Sequence, residues 1–538
     1  MGASAGGPTS QDGERMTTAS TTTHGNHNDG AAGIAIVPRP VSLERSGTGF
    51  RLVAPVRIAA SNETATAVGL LGERLGEVVA APSGNAQVTF AVDPSLGAES
   101  YELVSDESGV RITGGDAAGA FYGAQTLLQL LPPAVFSAEP GTEWDVPGVR
   151  IGDRPAFGWR GAMLDVARHF MPVDFVLRFI DLLAMHKLNT LHFHLTEDQG
   201  WRLQIDRYPR LTEVGGHRAE TIMVRPDKAH PENDRYDRTP HGGIYSKDDI
   251  RRILAHAATR HVRVVPEVEV PGHSQAAITA YPELGNTGQQ LEVAKKWGVI
   301  YHTLNVEEST IQFYQNVFDE VIDLFDSPYI HVGGDECEKD EWLASERAQA
   351  SMAELDLDHV EQLQSWFIRR MAAHIQSRGR TLVGWDEILE GGLALGAVVM
   401  SWRGEAGGIA AAQAGHDVIM APFTHTYFDY YQSEDRVTEP YGIGGLITLE
   451  RAYSYRPVPE ALTAEEARHV LGAQFQLWTE YMPKPANVEF MAFPRGCAFA
   501  ETVWHPEPGD YPEFLGRLRT HVRRLDALGV AYHPLPGA

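Results

Sequence analysis

The stretch from residue 36 to residue 131 alternates short apolar segments with one long helical pattern. Residues 87–92 and 110–113 place apolar and polar side chains at alternate positions, as strands buried on one face do. Asp116 precedes an apolar series that ends at Pro132 and Pro133, which predicts a capped helix. We therefore predict a small α+β domain over residues 34–150. It has no convergent set of catalytic residue types, so we expect a supporting role.

After Pro155 the pattern changes to a repeated strand, loop and helix. One helical face is indicated by Val176, Phe179, Ile180 and Leu183. Apolar strand candidates begin near Gly161, Thr190, Val262, Tyr329, Thr381, Val398, Val418 and Ala473. Eight strands with intervening helices in roughly 350 residues predict a (β/α)8 barrel over residues 151–538, with a C-terminal helix. The alternative, a doubly wound open sheet, needs a glycine-rich phosphate turn that we do not find.

The composition narrows the class of partner. The chain has 538 residues, 43% of them hydrophobic, and a formal net charge of −26. Such an acidic chain disfavours nucleic acid and anionic membrane as partners, and no apolar run is long enough to span a bilayer. Its two cysteines do not make a disulfide framework. Residues 1–33 are rich in small polar residues and lack the features of a secretory signal, so we expect a disordered segment and a cytoplasmic protein.

The most informative segment is residues 331–337, His-Val-Gly-Gly-Asp-Glu-Cys. An apolar stretch leads into it and predicts a buried strand, after which two glycines allow the backbone to bend. Neighbouring side chains of a regular strand point to opposite faces, so Asp335 and Glu336 serve one pocket only if the backbone leaves strand geometry. The pair indicates either a carboxylate site for acid/base chemistry or a strand-end turn with solvated acids.

Barrel enzymes build their sites where the strands end, and polar or aromatic residues recur at all eight predicted strand ends. These residues are Asp165, Arg168, His192, His194, Glu197, Asp198, Glu267, Glu269, His273, Asp335, Glu336, Trp385, Asp386, Trp402, Tyr427, Asp429, Trp478 and Glu480. The tryptophans suit the apolar faces of a sugar, although core packing is the commoner role of any single one. Arg168, Asp429 and Glu480 would then hold sugar hydroxyls, and the alternative for Arg168 is a structural ion pair.

His192 and His194 share a strand face, a spacing that metal-dependent barrel hydrolases use for their ligands. That class needs further ligands at later strand ends, where this chain has Trp385 and Trp402. The alternative is a pair of buried, hydrogen-bonded imidazoles beneath the pocket.

Eight motifs in order along the barrel resemble the glycoside hydrolase family 20 β-N-acetylhexosaminidases. They are MLDVARHF (163–170), LHFHLTEDQGWR (191–202), PEVEVPGH (266–273), HVGGDECEKDEW (331–342), GWDE (384–387), SWRG (401–404), YFD (427–429) and LWTE (477–480). The region before the barrel is similar to the α+β domain that precedes such barrels. The resemblance implies an exo-acting, retaining enzyme for terminal N-acetylglucosamine or N-acetylgalactosamine, with no metal and no cofactor. A lacto-N-biosidase-like enzyme and a sugar-binding protein without catalysis are the alternatives.

The resemblance also implies residue roles. Glu336 is expected to be the general acid and then the base, and Asp335 to orient the substrate's 2-acetamido group, whose carbonyl oxygen is the nucleophile. Binding of the terminal sugar is expected from Arg168, Tyr427, Asp429, Trp385, Trp402, Trp478 and Glu480. His273 and Glu197 are expected to support Glu336. An acid buried among aromatic residues should have a raised pKa, which would keep Glu336 protonated for its first step.

Three positions depart from the family pattern. Glu197 and Glu269 stand where relatives often have Asp, which keeps the charge and lengthens the arm. Tyr455 stands where many relatives carry Trp, which puts the sugar contact there in doubt. The loop of residues 215–243, rich in charge and proline, either shapes outer subsites or is a plain surface insertion. The sequence leaves the natural glycan, the preference between 4-epimers and the oligomeric state undetermined.

Overall fold

A computed structural model of the chain describes residues 33–227, 229–507 and 509–537. The segment predicted to be disordered, residues 1–33, lies outside the described residues except for Gly33. Within the described residues, no helix has both the length and the apolar character needed to cross a membrane.

The N-terminal domain is a mixed sheet with two helices packed together. Its strands are β1 Ser42–Arg45, β2 Phe50–Val53, β3 Val56–Ala59, β4 Val78–Ala80, β5 Val88–Val92, β6 Tyr101–Asp106, β7 Gly109–Gly114, β8 Glu143–Val146 and β9 Val149–Asp153. Seven of them form the sheet β1-β9-β6-β7-β5-β3-β4, and β2 pairs with β8. The helices are α1 Ala65–Leu75 and α2 Ala117–Leu130.

Helix α2 is the helix that the sequence predicts, and its Asp116 cap is confirmed. The Asp116 carboxylate accepts a hydrogen bond from the backbone N–H of Gly119 at 2.7 Å, and α2 ends before Pro132. Helix α1 was not predicted. Gly69 and Gly72 lie inside it, and two glycines lower helix propensity enough to hide the pattern.

The second domain is a closed parallel barrel of eight strands, in which β21 pairs back onto β10. The predicted (β/α)8 fold is confirmed, with one observed strand at each predicted position. The strands of this domain, including two short loop hairpins, are β10 Trp159–Asp165, β11 Thr190–His194, β12 Thr196–Glu197, β13 Gly200–Trp201, β14 His217–Arg218, β15 His241–Gly242, β16 Arg263–Glu267, β17 Tyr329–His331, β18 Thr381–Trp385, β19 Val398–Ser401, β20 Val418–Met420 and β21 Val470–Leu477.

Helices cover the outside of the barrel. They are α3 Val173–Met185, α4 Arg210–Glu213, α5 Lys247–Thr259, α6 Gln275–Ala280, α7 Glu308–Leu324, α8 Asp340–Ala344, α9 Glu346–Glu354, α10 Val360–Ser377, α11 Ala406–Gln413, α12 Phe423–Thr426, α13 Leu449–Ser454, α14 Pro485–Ala492, α15 Arg495–Trp504 and α16 Tyr511–Ala527. The predicted apolar face of α3 is buried, as the core side of an amphipathic helix should be.

The two domains meet where β10 and β11 begin, at the end of the barrel opposite the strand ends. Lys187 Nζ lies 2.7 Å from Asp153 Oδ2, and both side chains are fully buried. Arg160 Nη2 lies 2.8 Å from Glu99 Oε1. Strand β9 continues to Asp153 and β10 begins at Trp159. The structural boundary therefore lies a few residues beyond the predicted division at 150 and 151.

Candidate active site

The backbone leaves strand geometry after β17, as the glycine pair predicts. Gly333 and Gly334 have φ of +68° and +92°, and Glu336 itself has φ of +45°. A Cβ at Gly333 would lie 1.6 Å from Oε2 of Glu269, so only glycine fits there. The bend brings both carboxyl groups to one imidazole, because Nε2 of His273 lies 3.7 Å from Asp335 Oδ2 and 3.5 Å from Glu336 Oε2.

Asp335 is the deeper of the two acids. It is buried, and its Oδ1 has no hydrogen-bond partner among the described residues. Burial raises its pKa to about 7, the charge of Glu336 adds to that rise, and the charge of His273 opposes it. Asp335 is therefore a carboxyl group with hydrogen-bonding capacity left for another molecule.

Glu336 is the more accessible acid, with 36% of its side chain exposed. Burial by itself would raise its pKa, but the contact with His273 and the charges of His273 and Arg168 outweigh burial and lower it. The predicted rise is therefore wrong for the free protein. The sequence placed Glu336 among aromatic residues but did not show that cations reach it.

His273 lies between the acid pair and a second carboxylate group. Its Nδ1 is 2.6 Å from Glu197 Oε1 and 3.2 Å from Asp198 Oδ2. Burial would lower the pKa of His273, but these carboxylates raise it well above the ordinary value. Glu197 also contacts Arg168 Nη2 at 3.0 Å. The structure thus brings the predicted supporting residues, His273 and Glu197, together behind Glu336.

Arg168, Asp429 and Glu480 have polar atoms with no hydrogen-bond partner among the described residues. These atoms are Nε and Nη1 of Arg168, Oδ1 of Asp429 and Oε2 of Glu480. All three residues are buried, and the Arg168 guanidinium lies over the Trp478 ring at 4.8 Å. Burial raises the pKa of Glu480 to about 7, against the opposing charge of Arg168. Buried polar atoms without a hydrogen-bond partner lower the stability of the fold. We therefore interpret these three residues as a candidate binding site for polar groups.

The predicted aromatic residues form a connected wall. The Trp385 and Trp478 ring centroids are 5.8 Å apart, and Tyr427 lies 6.3 Å from Trp478 and 6.1 Å from Trp402. The ring planes of Trp402 and Tyr427 are nearly parallel, at 23°. Four aromatic side chains from separate strand ends therefore lie next to one another, which is the arrangement predicted for a sugar site.

The predicted histidine pair lies beneath this wall, around Glu267. His192 Nε2 and His331 Nδ1 lie 3.0 and 2.7 Å from the Glu267 oxygens, and His194 Nδ1 is also in contact with them. The Trp385 indole donates to Glu267 at 2.9 Å. His194 is hydrogen-bonded to Glu267, and Nδ1 of His192 is hydrogen-bonded to the Gln474 side-chain amide at 2.9 Å. These bonds agree with the alternative of buried, hydrogen-bonded imidazoles, and the absence of a metal stays a prediction. No pattern in the sequence indicates that Glu267 joins these groups.

The departures from the family pattern fall in different places. Glu269 is buried, and neither of its carboxyl oxygens has a hydrogen-bond partner among the described residues. Burial and the charge of Asp335 raise its pKa well above the ordinary value. Tyr455 is 2% exposed and its ring stacks on His425 at 5.4 Å.

In the predicted loop of residues 215–243, the backbone N–H of Arg225 donates to the Tyr441 hydroxyl at 3.2 Å.

Glu387 was not predicted, although it belongs to the GWDE motif. It is 7% exposed, and its Oε2 accepts a hydrogen bond from the Trp402 indole at 2.8 Å. Its place two residues after Trp385 was the available signal. Its neighbour in space, Trp402, follows the next barrel strand, β19, and is not adjacent in sequence.

Comparisons with known proteins agree on one family. The catalytic-domain model of glycosyl hydrolase family 20 matches residues 157–507, and the model of domain 2 of that family matches residues 33–154. The chain is 44% identical to a β-hexosaminidase of Porphyromonas gingivalis, over 94% of the chain and 65% of the relative. It is 32% identical to a β-N-acetylhexosaminidase of Cellulomonas fimi, over 94% of the chain and 96% of the relative.

Solved structures give the same result. The family 20 exo-β-N-acetylglucosaminidase of Vibrio harveyi, in complex with N-acetylglucosamine, is similar with a TM-score of 0.82 and 30% identity, covering 93% of this chain and 78% of that one. The β-N-acetylhexosaminidase of Streptomyces coelicolor A3(2) is similar with a TM-score of 0.81 and 32% identity, covering 94% of this chain and 98% of that one.

Proposed function

The chain belongs to glycosyl hydrolase family 20, and we propose that it is an exo-acting β-N-acetylhexosaminidase. The substrate is an oligosaccharide or glycoconjugate that ends in a β-linked N-acetylhexosamine, and hydrolysis retains the anomeric configuration. The observation that supports this best is the position of Asp335 and Glu336 around one imidazole, 3.7 and 3.5 Å from His273 Nε2. Both carboxyl groups come from one strand end, which suits a mechanism whose nucleophile belongs to the substrate.

In the first step, the carbonyl oxygen of the 2-acetamido group attacks the anomeric carbon and forms an oxazolinium ion. Glu336 donates its proton to the departing glycosidic oxygen as the bond to the anomeric carbon breaks. In the second step, Glu336 accepts a proton from water, and the water oxygen attacks the anomeric carbon and opens the oxazolinium ring. Because the nucleophile is already attached to the sugar, its effective concentration is high.

Asp335 does not attack the sugar. Its carboxylate accepts a hydrogen bond from the amide N–H of the acetamido group and stabilises the positive charge that develops on the oxazolinium ring. Its free Oδ1 is available for this contact. The pKa of Asp335 is about 7 before substrate binds, and a cation forming beside the carboxyl group favours its ionised form.

The remaining residues bind the terminal sugar. Trp385, Trp402, Trp478 and Tyr427 enclose the N-acetyl group, with the Tyr427 hydroxyl donating to its oxygen. The hydroxyls of the ring satisfy the unpartnered atoms of Arg168, Asp429 and Glu480. The cytoplasmic location and the absence of a cofactor stay predictions.

The test compares an aryl N-acetyl-β-glucosaminide with the matching aryl β-glucoside, which lacks the internal nucleophile. We expect cleavage of the first with retention, seen as the β-anomer in the earliest NMR spectra, and hardly any cleavage of the second. Comparable rates on both substrates would refute the mechanism. A chelator should leave the rate unchanged, whereas a loss that a divalent metal restores would favour the metal-dependent alternative. Chitooligosaccharides and the N-acetylgalactosaminide then define the substrate range.

A further inference from the structure

The ends of β18 and β19 are joined by side chains that the proposed mechanism does not use. Strand β18 is followed by a single helical turn, Asp386–Leu389. The Asp386 carboxylate accepts the backbone N–H of Trp402 at 3.2 Å and lies 2.5 Å from Arg403 Nε. Asp386 thus holds the backbone of Trp402, the residue that directly follows β19.

Glu387 fixes the side chain of the same tryptophan. Its Oε2 accepts the Trp402 indole N–H at 2.8 Å, and the carboxyl group is 7% exposed. An indole has one hydrogen-bond donor, its N–H group. This bond therefore restricts the orientation of the Trp402 indole. The Trp402 ring also stacks with the Tyr427 ring, with the centroids 6.1 Å apart.

The charge state of Glu387 suits a positioning role. Burial and the charge of Asp335 raise its pKa to about 8, and the indole hydrogen bond and the charge of Arg403 oppose that rise. A raised pKa favours the neutral form of this carboxyl group, and a neutral carboxyl still accepts through its carbonyl oxygen. A glutamine at this position presents the same acceptor and cannot ionise.

We propose that Glu387 is a positioning residue that holds Trp402 as a fixed wall of the acetamido pocket and so sets the selectivity for the size of the N-acyl group. The inference rests on the proposed function. If the wall is fixed, an N-acetyl group fits and a longer N-acyl group is excluded. If the hydrogen bond is lost, the indole rotates, the internal nucleophile is held less closely in line, and the larger group is admitted.

The experiment measures kcat and KM for aryl N-acetyl- and N-propionyl-β-glucosaminides with Glu387→Ala, Glu387→Gln, Trp402→Phe and the double variant Glu387→Ala/Trp402→Phe. We expect Glu387→Ala to lose about tenfold in kcat/KM on the N-acetyl substrate, mainly in kcat. It should lose less on the N-propionyl substrate, so the acyl selectivity falls. Glu387→Gln should keep the selectivity of the parent, and the double variant should be no more impaired than Trp402→Phe.

Glu390→Ala is the matched control. Glu390 contacts Arg403 Nη1 at 2.8 Å, and the described contacts do not join it to Trp402. It should keep the acyl selectivity. Glu387→Leu fills the space without an acceptor and replaces Glu387→Ala if that variant does not fold.

Unchanged selectivity in Glu387→Ala or Glu387→Leu, or equal loss in Glu387→Gln, would overturn the inference. Additive losses in the double variant would do the same. If the parent protein cleaves neither substrate, the proposed function fails first. If the parent cleaves the N-acetyl substrate and the variants keep its selectivity, only the role of Glu387 fails.

Discussion

The two ends of the barrel use buried charge in opposite ways. Where the N-terminal domain packs, Lys187 is paired with Asp153 at 2.7 Å and Arg160 with Glu99 at 2.8 Å. At the strand ends, Arg168, Asp335, Asp429 and Glu480 are also buried, but each has at least one polar atom with no hydrogen-bond partner among the described residues.

The pKa values of Glu99, Asp335 and Glu480 show the same contrast. Burial would raise the pKa of Glu99, but hydrogen bonds and the charge of Arg160 lower it. Burial raises the pKa of Asp335 and of Glu480 to about 7, because the opposing cations there compensate less. Pairing completes the interface, whereas the pocket keeps hydrogen-bonding capacity for a substrate at a cost in stability. The default supporting role of the N-terminal domain agrees with this, since two of its acids neutralise buried cations of the barrel.

The largest effect is expected from Glu336→Gln. Removing the general acid should lower kcat about 10²- to 10⁴-fold on substrates with poor leaving groups, with less effect on activated aryl substrates. Binding of N-acetylglucosamine should remain, since the pocket is intact. Steady-state kinetics with chitobiose and calorimetric titration with the monosaccharide check both parts. Full activity in this variant would remove Glu336 from its role.

The interface should respond in stability and not in catalysis. The Lys187→Met variant removes the cation that pairs with the buried Asp153, which keeps only uncharged hydrogen-bond donors. We expect this change to lower the free energy of unfolding by about 3–5 kcal/mol. The kcat per folded molecule should not change. The control is Arg51→Ala, because Arg51 pairs with Glu143 at the surface with 62% of its side chain exposed. That loss should stay within about 1 kcal/mol. Urea unfolding measures both, and equal losses would contradict the contrast.

The smallest effect, counted per pH unit, is a pH dependence of stability at the acid pair. The pKa of Asp335 is raised in the folded protein, so the stability that this group contributes is present in acid and is lost as the pH rises through about 7. Asparagine cannot ionise, so the Asp335→Asn variant does not lose stability at this position as the pH rises. The advantage of Asp335→Asn over the parent should therefore grow between about pH 4 and pH 7, by at most roughly 1.4 kcal/mol per pH unit.

Glu336→Gln is the control of opposite sign for that measurement. The pKa of Glu336 is lowered in the folded protein, so its contribution is present at neutral pH and is lost in acid. The parent should be more stable than Glu336→Gln at pH 7, and the difference should shrink as the pH falls. Thermal unfolding across this range checks both variants, and the same sign for both would refute the assigned pKa directions.

The sequence by itself determined the barrel and the end of it at which the candidate site residues lie. Alternating and continuous apolar runs located all eight strands, because strand burial leaves a periodic pattern in the chain. The rule that barrel sites form at strand ends then grouped Arg168, Tyr427 and Glu480, which are far apart in sequence. The glycine pair at 333 and 334 predicted the bend, because it depends on local sterics alone.

Only the tertiary structure decided the electrostatics and the cross-strand contacts. The direction of the Glu336 pKa depends on whether burial or the nearby cations dominate, and that balance depends on distances to His273 and Arg168 that no local pattern encodes. The pairing of Lys187 with Asp153 and of Glu387 with Trp402 joins residues from different strands or domains. Local periodicity reports which face a residue occupies, whereas the partner that it meets there is set by how the whole chain packs.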